Sequence, residues 1–150
     1  MEQVPSIRTA AAADYDLIAP VVDQWWGRPI LGSLPRLFLD LFYGTSLVID
    51  GDDGVDAFLI GIFSPSDADR AYIHFVGVAP HVRRRGYGRL LYEEFFLRAR
   101  ADGRSVVSAI TAPVNLRSAE FHRALEFSVA GPVGAYNGPG HEMLVFDRRL

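Results

Sequence analysis

The chain has 150 residues, of which 49% are hydrophobic and 22% charged; that is enough apolar surface for a packed core, but too short a length for two full domains. Its net charge of −3 speaks against a protein that coats nucleic acid, which would be basic. It contains no cysteine and no lysine, which removes disulfide frameworks, thiolate metal sites, thiol nucleophiles, Schiff-base lysines and phosphate loops built on lysine.

Met1 to Thr9 carries Glu2 and Arg8 without an apolar stretch, so it does not read as a signal peptide. The longest uncharged runs, such as Ser105 to Leu116, fall short of the roughly 20 residues a membrane span needs. The expectation is one soluble, cytoplasmic domain over residues 1–150, with no membrane or nucleic-acid partner.

Ser6 to Thr9 reads as a short strand. Asp14 is placed to cap a helix along which Leu17, Ile18, Val21, Val22, Trp25 and Trp26 recur at helical spacing. Pro20 either kinks that helix or starts it, and Gly27-Arg28-Pro29 ends it. Ser33 then caps a second helix, with Pro35 early in it and Leu37, Phe38, Leu41 and Phe42 as its apolar face. Strands over Ser46 to Asp50 and Val55 to Phe63 flank the turn Gly51-Asp52-Asp53-Gly54. A third strand runs from Ala71 to Ala79, closed by Pro80. A long helix follows from about Gly86 to about Ala101, stopped by Gly103. Ser105 to Thr111 is a buried strand, Asn115 opens a helix to about Leu125, and Phe127 to Ala130 with Glu142 to Phe146 form a last pair of strands. The order is mixed α/β.

The chemistry concentrates in the stretch from Tyr72 to Arg89, which reads strand, glycine-containing turn, helix. Such a turn leaves unpaired backbone N–H groups at a helix N-terminus, a setting for phosphate or diphosphate. Gly86 and Gly88 allow close approach, and Arg83, Arg84, Arg85 and Arg89 add positive charge. The plainer reading is a capped helix behind a solvated basic run. Neither a Walker loop nor a Rossmann fingerprint fits, because the lysine is missing and the glycines are too few. Gly77, inside a β-branched strand, marks a bulge or a close ligand approach.

Val76 to Pro80 followed by Arg83-x-x-Gly86-x-Gly88 resembles the acyl-CoA-binding segment of the GNAT superfamily of N-acetyltransferases. A second segment, Asn115-Leu116-Arg117-Ser118-Ala119-Glu120-Phe121-His122, resembles that family's Asn-x-x-Ala/Ser-x-x-Phe-Tyr run, and the element order agrees along nearly the whole chain. The resemblance implies a GNAT-like α/β domain with a mixed, mostly antiparallel sheet in which acyl-CoA enters where two central strands part. It implies that Val76, Gly77 and Val78 border the pantetheine, with the Val78 N–H aimed at the thioester carbonyl. Arg83, Arg84, Arg85, Gly86, Tyr87, Gly88 and Arg89 would wrap the diphosphate, and Asn115, Ser118, Phe121 and His122 would line the channel. Core packing is the other reading of Val76, Val78 and Phe121.

The family's tyrosine, which protonates the departing thiolate, is replaced by His122, and Glu126 stands where a glycine is usual. An imidazolium could protonate a thiolate downhill; a buried structural histidine is the other reading of His122. Strand alternation puts Tyr72, His74, Val76 and Val78 on one face, making His74 the first choice for the base that deprotonates the amine. A hydrogen-bonded wall residue is its other reading. Trp26, Arg28, Tyr72, His74 and Tyr136 are the substrate-side candidates, beside Trp25, Asn137 and His141. The tryptophans also read as core and Arg28 as an ordinary surface arginine. No metal is expected. The implied reaction is direct transfer from acetyl-CoA to an amine, with the Val78 amide stabilising the oxyanion and a homodimer as a further expectation. A non-catalytic acyl-CoA sensor on the same scaffold is the alternative.

Overall fold

The computed structural model describes residues 4–150. It comprises two compact units: one runs to Ile62 and adds His74–Leu97, the other holds Phe63–Ile73 and Arg98–Leu150. The strands are β1 (Arg8–Thr9), β2 (Leu47–Asp50), β3 (Val55–Phe63), β4 (Arg70–Val78), β5 (Val106–Thr111), β6 (Ser128–Val133) and β7 (Met143–Arg149), hydrogen-bonded in the order β1-β2-β3-β4-β5-β7-β6, the mixed, mostly antiparallel sheet that the resemblance implied.

In the first unit β1 (Arg8–Thr9) pairs antiparallel with β2 (Leu47–Asp50), and β2 with β3 (Val55–Phe63). β2 and β3 are almost continuously apolar and buried, as strands covered on both faces must be. The segment expected as one helix breaks at Pro20 into α1 (Tyr15–Ile18) and α2 (Val22–Trp26), because proline supplies no N–H and clashes with the preceding turn. Asp14 does not cap by its side chain. Its carboxylate takes two bonds from Arg8, at 2.8 and 2.9 Å, and one from the Ala11 N–H at 2.7 Å. These donors hold the Asp14 carboxyl below its ordinary range, with the Arg8 bonds the largest cause. Ser33 is not a cap either: it closes a 3-10 turn, and α3 (Leu37–Phe42) starts after Arg36. Ile18, Val22, Trp25, Leu34, Leu39, Val48, Phe58 and Ile60 belong to the core beneath these helices. α4 (Tyr87–Ala101) buries Leu91, Tyr92, Phe95 and Phe96, one stripe at helical spacing.

In the second unit the start of β4 (Arg70–Val78) runs parallel to β5 (Val106–Thr111), with Arg70, Ala71 and Tyr72 opposite Val106, Val107 and Ser108. β5 then pairs antiparallel with β7 (Met143–Arg149), and β7 with β6 (Ser128–Val133). Arg104 ties the unit together by donating to the carbonyls of Ser64, Asp67 and Arg70 at 2.7, 3.1 and 3.3 Å. α5 (Leu116–Ala124) is capped by Asn115, whose Oδ1 accepts the Ser118 N–H at 3.2 Å.

β4 departs from simple alternation. At one end the Ser64 N–H donates to the Arg70 carbonyl, and at the other the Ala79 N–H donates to the Asp56 carbonyl. Between these pairs β4 spans nine residue steps and β3 only eight, so β4 holds one extra residue, a bulge. Packing locates it: His74 and Phe75, consecutive in sequence, both meet side chains of the layer formed by α2 and α3. Among the described residues, no helix is long and apolar enough to cross a membrane.

Candidate active site

The first unit carries the strand, loop and helix start that the sequence singled out. After β4 come a 3-10 turn over Pro80–Val82 and then α4. In the connection Arg83 has φ −61°, Arg84 φ 71° and Gly86 φ 77°. Arg83 is extended, with ψ 152°, and its N–H donates to the Pro80 carbonyl, so the sharp turning comes from the positive φ of Arg84 and Gly86 directly before α4. A Cβ on Gly86 would meet nothing within 4 Å, so the space over this backbone is open. The first turn of α4 carries no acidic residue to compete for the site, and the Gly86 carbonyl accepts the Leu90 N–H at 3.0 Å, so the loop runs straight into the helix. Arg84 and Arg85 are exposed and, among the described residues, form no ion pair; Arg89 pairs with Glu93 at 3.2 Å. A diphosphate fits the chemistry of this cradle.

Arg83 departs from its expected place. Its guanidinium donates to the Trp25 carbonyl and, at 3.4 Å, to the Val78 carbonyl, so the side chain serves backbone carbonyls of the protein, not a phosphate. Gly77 also has a different cause than expected. A Cβ there would lie 2.5 Å from Phe58 and 3.2 Å from Trp26; the glycine makes room for two rings, not for a ligand. Trp26 stacks obliquely on Phe75 at 4.8 Å, and Trp25 is buried. Arg28 is exposed after the α2 C-terminus, where Gly27 takes φ 71°.

His74 lies flat on Phe38, with ring centroids 4.0 Å apart and 8° between planes, and its Nε2 is 2.7 Å from the Ser33 carbonyl. A carbonyl only accepts, so Nε2 carries the proton and Nδ1 is the basic nitrogen. Burial pushes the His74 pKa down, keeping the ring neutral at pH 7. The bulge places His74 on the side of α2 and α3 with Phe75, correcting the expectation that Tyr72, His74, Val76 and Val78 share one face. The partners Phe38 and Ser33 escaped the sequence reading, because nothing local to His74 marks them. A cavity of about 760 Å³ is lined by the β2–β3 turn and the residues that follow β4, among them Asp52, Asp53, Asp56, His81 and Arg85, with Trp25, and His81 lies 3.1 Å from Asp56.

In the second unit, His122 is only 5% exposed. Its ring stacks on Phe146 at 4.1 Å and meets Phe127 and Phe121 edge-on at 5.0 and 5.5 Å. Nδ1–H donates to the Ser118 carbonyl at 2.7 Å, and burial pushes the pKa down. A histidine that resists protonation among phenylalanines is a core residue, which corrects its expected role as proton donor to sulfur. Asn115 is engaged as the α5 cap and donates to Thr111 Oγ1 at 3.3 Å. Tyr72 is pushed up to about 12, by burial first and by Tyr136 second, so it keeps its proton. Tyr136, Asn137 and His141 lie in the exposed β6–β7 connection, where the Asn137 N–H donates to the His141 carbonyl at 3.1 Å. Among the described residues, no three His, Asp or Glu side chains are grouped so as to hold a metal ion.

Residues 20–127 match the Acetyltransferase (GNAT) family. The fold is shared with a GNAT-family protein from Desulfovibrio desulfuricans, 20% identical, over 97% of this chain and 99% of that one, with a TM-score of 0.82. It is also shared with Ard1 from Thermoplasma volcanium, 17% identical over 99% of both chains, with a TM-score of 0.80. A phosphinothricin acetyltransferase from Sinorhizobium meliloti, solved in complex with acetyl-CoA, is 19% identical over 99% of this chain and 89% of that one, with a TM-score of 0.75. At these identities the likeness is one of fold. No curated protein matches the sequence.

Proposed function

The chain belongs to the GNAT acetyltransferase family, and from that premise we propose that residues 1–150 act as one acetyl-CoA-dependent N-acetyltransferase, passing the acetyl group directly to a primary amine. One observation carries the reading: the tight loop with positive φ at Arg84 and Gly86, open above Gly86 and running into the start of α4. The family's cosubstrate, acetyl-CoA, brings a diphosphate to that cradle and a thioester whose carbonyl carbon is the electrophile.

Val76 and Val78 hold the pantetheine arm through their backbone, and the Val78 N–H donates to the oxygen that becomes negative as the amine attacks. Arg84 and Arg85 neutralise phosphate charge from the cradle's rim. His74, neutral at pH 7 and fixed by Phe38 and Ser33, takes the proton of the incoming ammonium at Nδ1, directly or through one water. Attack forms the C–N bond, the nitrogen of the adduct gives up its second proton to solvent as the C–S bond breaks, and sulfur leaves as thiolate. With His122 locked in a core, that thiolate takes its proton from solvent, an undemanding step for a thiol of reference pKa about 8.5. Arg28 and Trp26 form the acceptor wall from the α2 side, and a cytoplasmic setting suits a chain without cysteine.

Amide-resolved titration tests the reading. CoA shifts the amides of Arg84 to Arg89, whereas pantetheine, which lacks the diphosphate, leaves them in place. Undisturbed amides in that loop at saturating CoA overturn the assignment.

A further inference from the structure

Trp25 lies in the last turn of α2, one residue before its end. The helical donor for its carbonyl would be the N–H of residue 29, and that residue is Pro29, which has none. The missing bond comes from 58 residues away: the Arg83 guanidinium donates to the Trp25 carbonyl, in a partly buried setting. The same guanidinium reaches the Val78 carbonyl at 3.4 Å. One side chain thus joins the last turn of α2 to the end of β4, and its own backbone opens the diphosphate cradle. The segment it braces is otherwise stiff. Asp23 Oδ1 accepts the N–H groups of Ile30 and Leu31 at 2.8 and 2.9 Å, and the Trp26 ring lies on Phe75.

The geometry points to Arg83 as a positioning residue that transmits occupancy of the cradle to the Trp25–Arg28 wall, and not as a phosphate ligand. The inference rests on the proposed binding of CoA by the 83–88 backbone. When a diphosphate draws the amides of that loop together, the Arg83 side chain carries the adjustment to the α2 C-terminus, so the acceptor wall assumes its working position once the donor is bound. A charged, forked donor suits the task because it serves two carbonyls at once, which neither lysine nor glutamine does in one plane.

The chain reports on this link by itself, since its two tryptophans are Trp25 and Trp26. CoA is titrated into the wild type and into Arg83→Met and Arg83→Lys, with calorimetry for affinity and tryptophan emission for the wall. Wild type is expected to bind CoA with a saturable emission change. Arg83→Met keeps CoA affinity within about threefold while at least half of the emission change is lost, and Arg83→Lys, which retains one donor, recovers part of it. A hundredfold loss of CoA affinity in Arg83→Met, with the variant folded by circular dichroism, shows a phosphate ligand and overturns the inference. An unaltered emission change, or none in CoA-bound wild type, overturns it equally while leaving the CoA site standing. Should Arg83→Met not fold, Arg83→Lys decides by the same two readouts. Failure of wild type to bind CoA overturns the proposed function, and the inference with it.

Discussion

Gly86→Val separates the cost to folding from the cost to binding. At φ 77° with no atom within 4 Å of an added Cβ, the first side-chain carbon collides with nothing, and the folded state bears at least the left-handed strain of about 1–2 kcal/mol. For a domain of this size that is a fall in Tm of roughly 2–8 °C. The branched side chain, however, fills the space through which a diphosphate approaches the backbone. Losing two charge-assisted N–H bonds at about 1.5–3 kcal/mol each weakens CoA by roughly 3–6 kcal/mol, or about 10²- to 10⁴-fold. Calorimetric titration with CoA alongside a thermal melt measures both numbers on one preparation. A folded Gly86→Val protein that binds CoA within threefold of wild type refutes the reasoning, because the diphosphate then does not lie over this backbone.

Other consequences concern the histidines and the partly buried Arg8–Asp14 ion pair. His74→Ala should lower kcat by about 10²- to 10⁴-fold with the best amine of a panel. In wild type kcat/KM should fall as pH drops through the His74 pKa, below its ordinary 6.5, and the variant should lose that limb. His122→Phe should keep activity within about threefold, because the ring serves packing. The His122 pKa is lowered on folding, so its contribution to stability is full above pH 6.5 and is lost as pH falls toward the folded pKa; urea melts across that range should show a shallower pH slope in His122→Phe. Asp14→Ala should cost roughly 1–2 kcal/mol, at the low end for a charged pair because Arg8 is half-exposed and keeps Asp50. The Asp14 carboxyl is depressed, so that difference from wild type should be complete above about pH 4 and vanish as acid protonates the folded carboxyl, read by melts at falling pH.

Much of the fold was legible because its signals are local. Pro20 marked the place where the expected helix parts into α1 and α2, though a kink or a start was expected there, the Gly51–Gly54 turn marked the β2–β3 hairpin, and Asn115 marked the start of α5. The loop ahead of α4 was legible for the same reason, since Gly86 before a helix is a short-range pattern. What misled was tertiary. Counting by twos along β4 cannot register an extra residue, so His74 was assigned the wrong face. Gly77 suggested a ligand, yet the rings of Phe58 and Trp26 claim its space. His122 occupies a position where the family carries an acid, and its character is set by Phe127 and Phe146, which no spacing around it foretells. For Arg83 a faint signal existed: a proline four residues after Trp25 leaves a carbonyl in need of a distant donor.

The account turns on chemistry at the thioester. Wild-type protein is incubated with acetyl-CoA and a panel of primary amines spanning polyamines, amino acids, aminoglycosides and peptide N-termini, with free thiol followed by a chromogenic disulfide and products by mass. The account predicts thiol release that rises with the concentration of at least one amine, matched mole for mole by its N-acetyl product. Tight CoA binding with no amine-dependent thiol release would contradict it and leave a CoA-binding protein that transfers nothing.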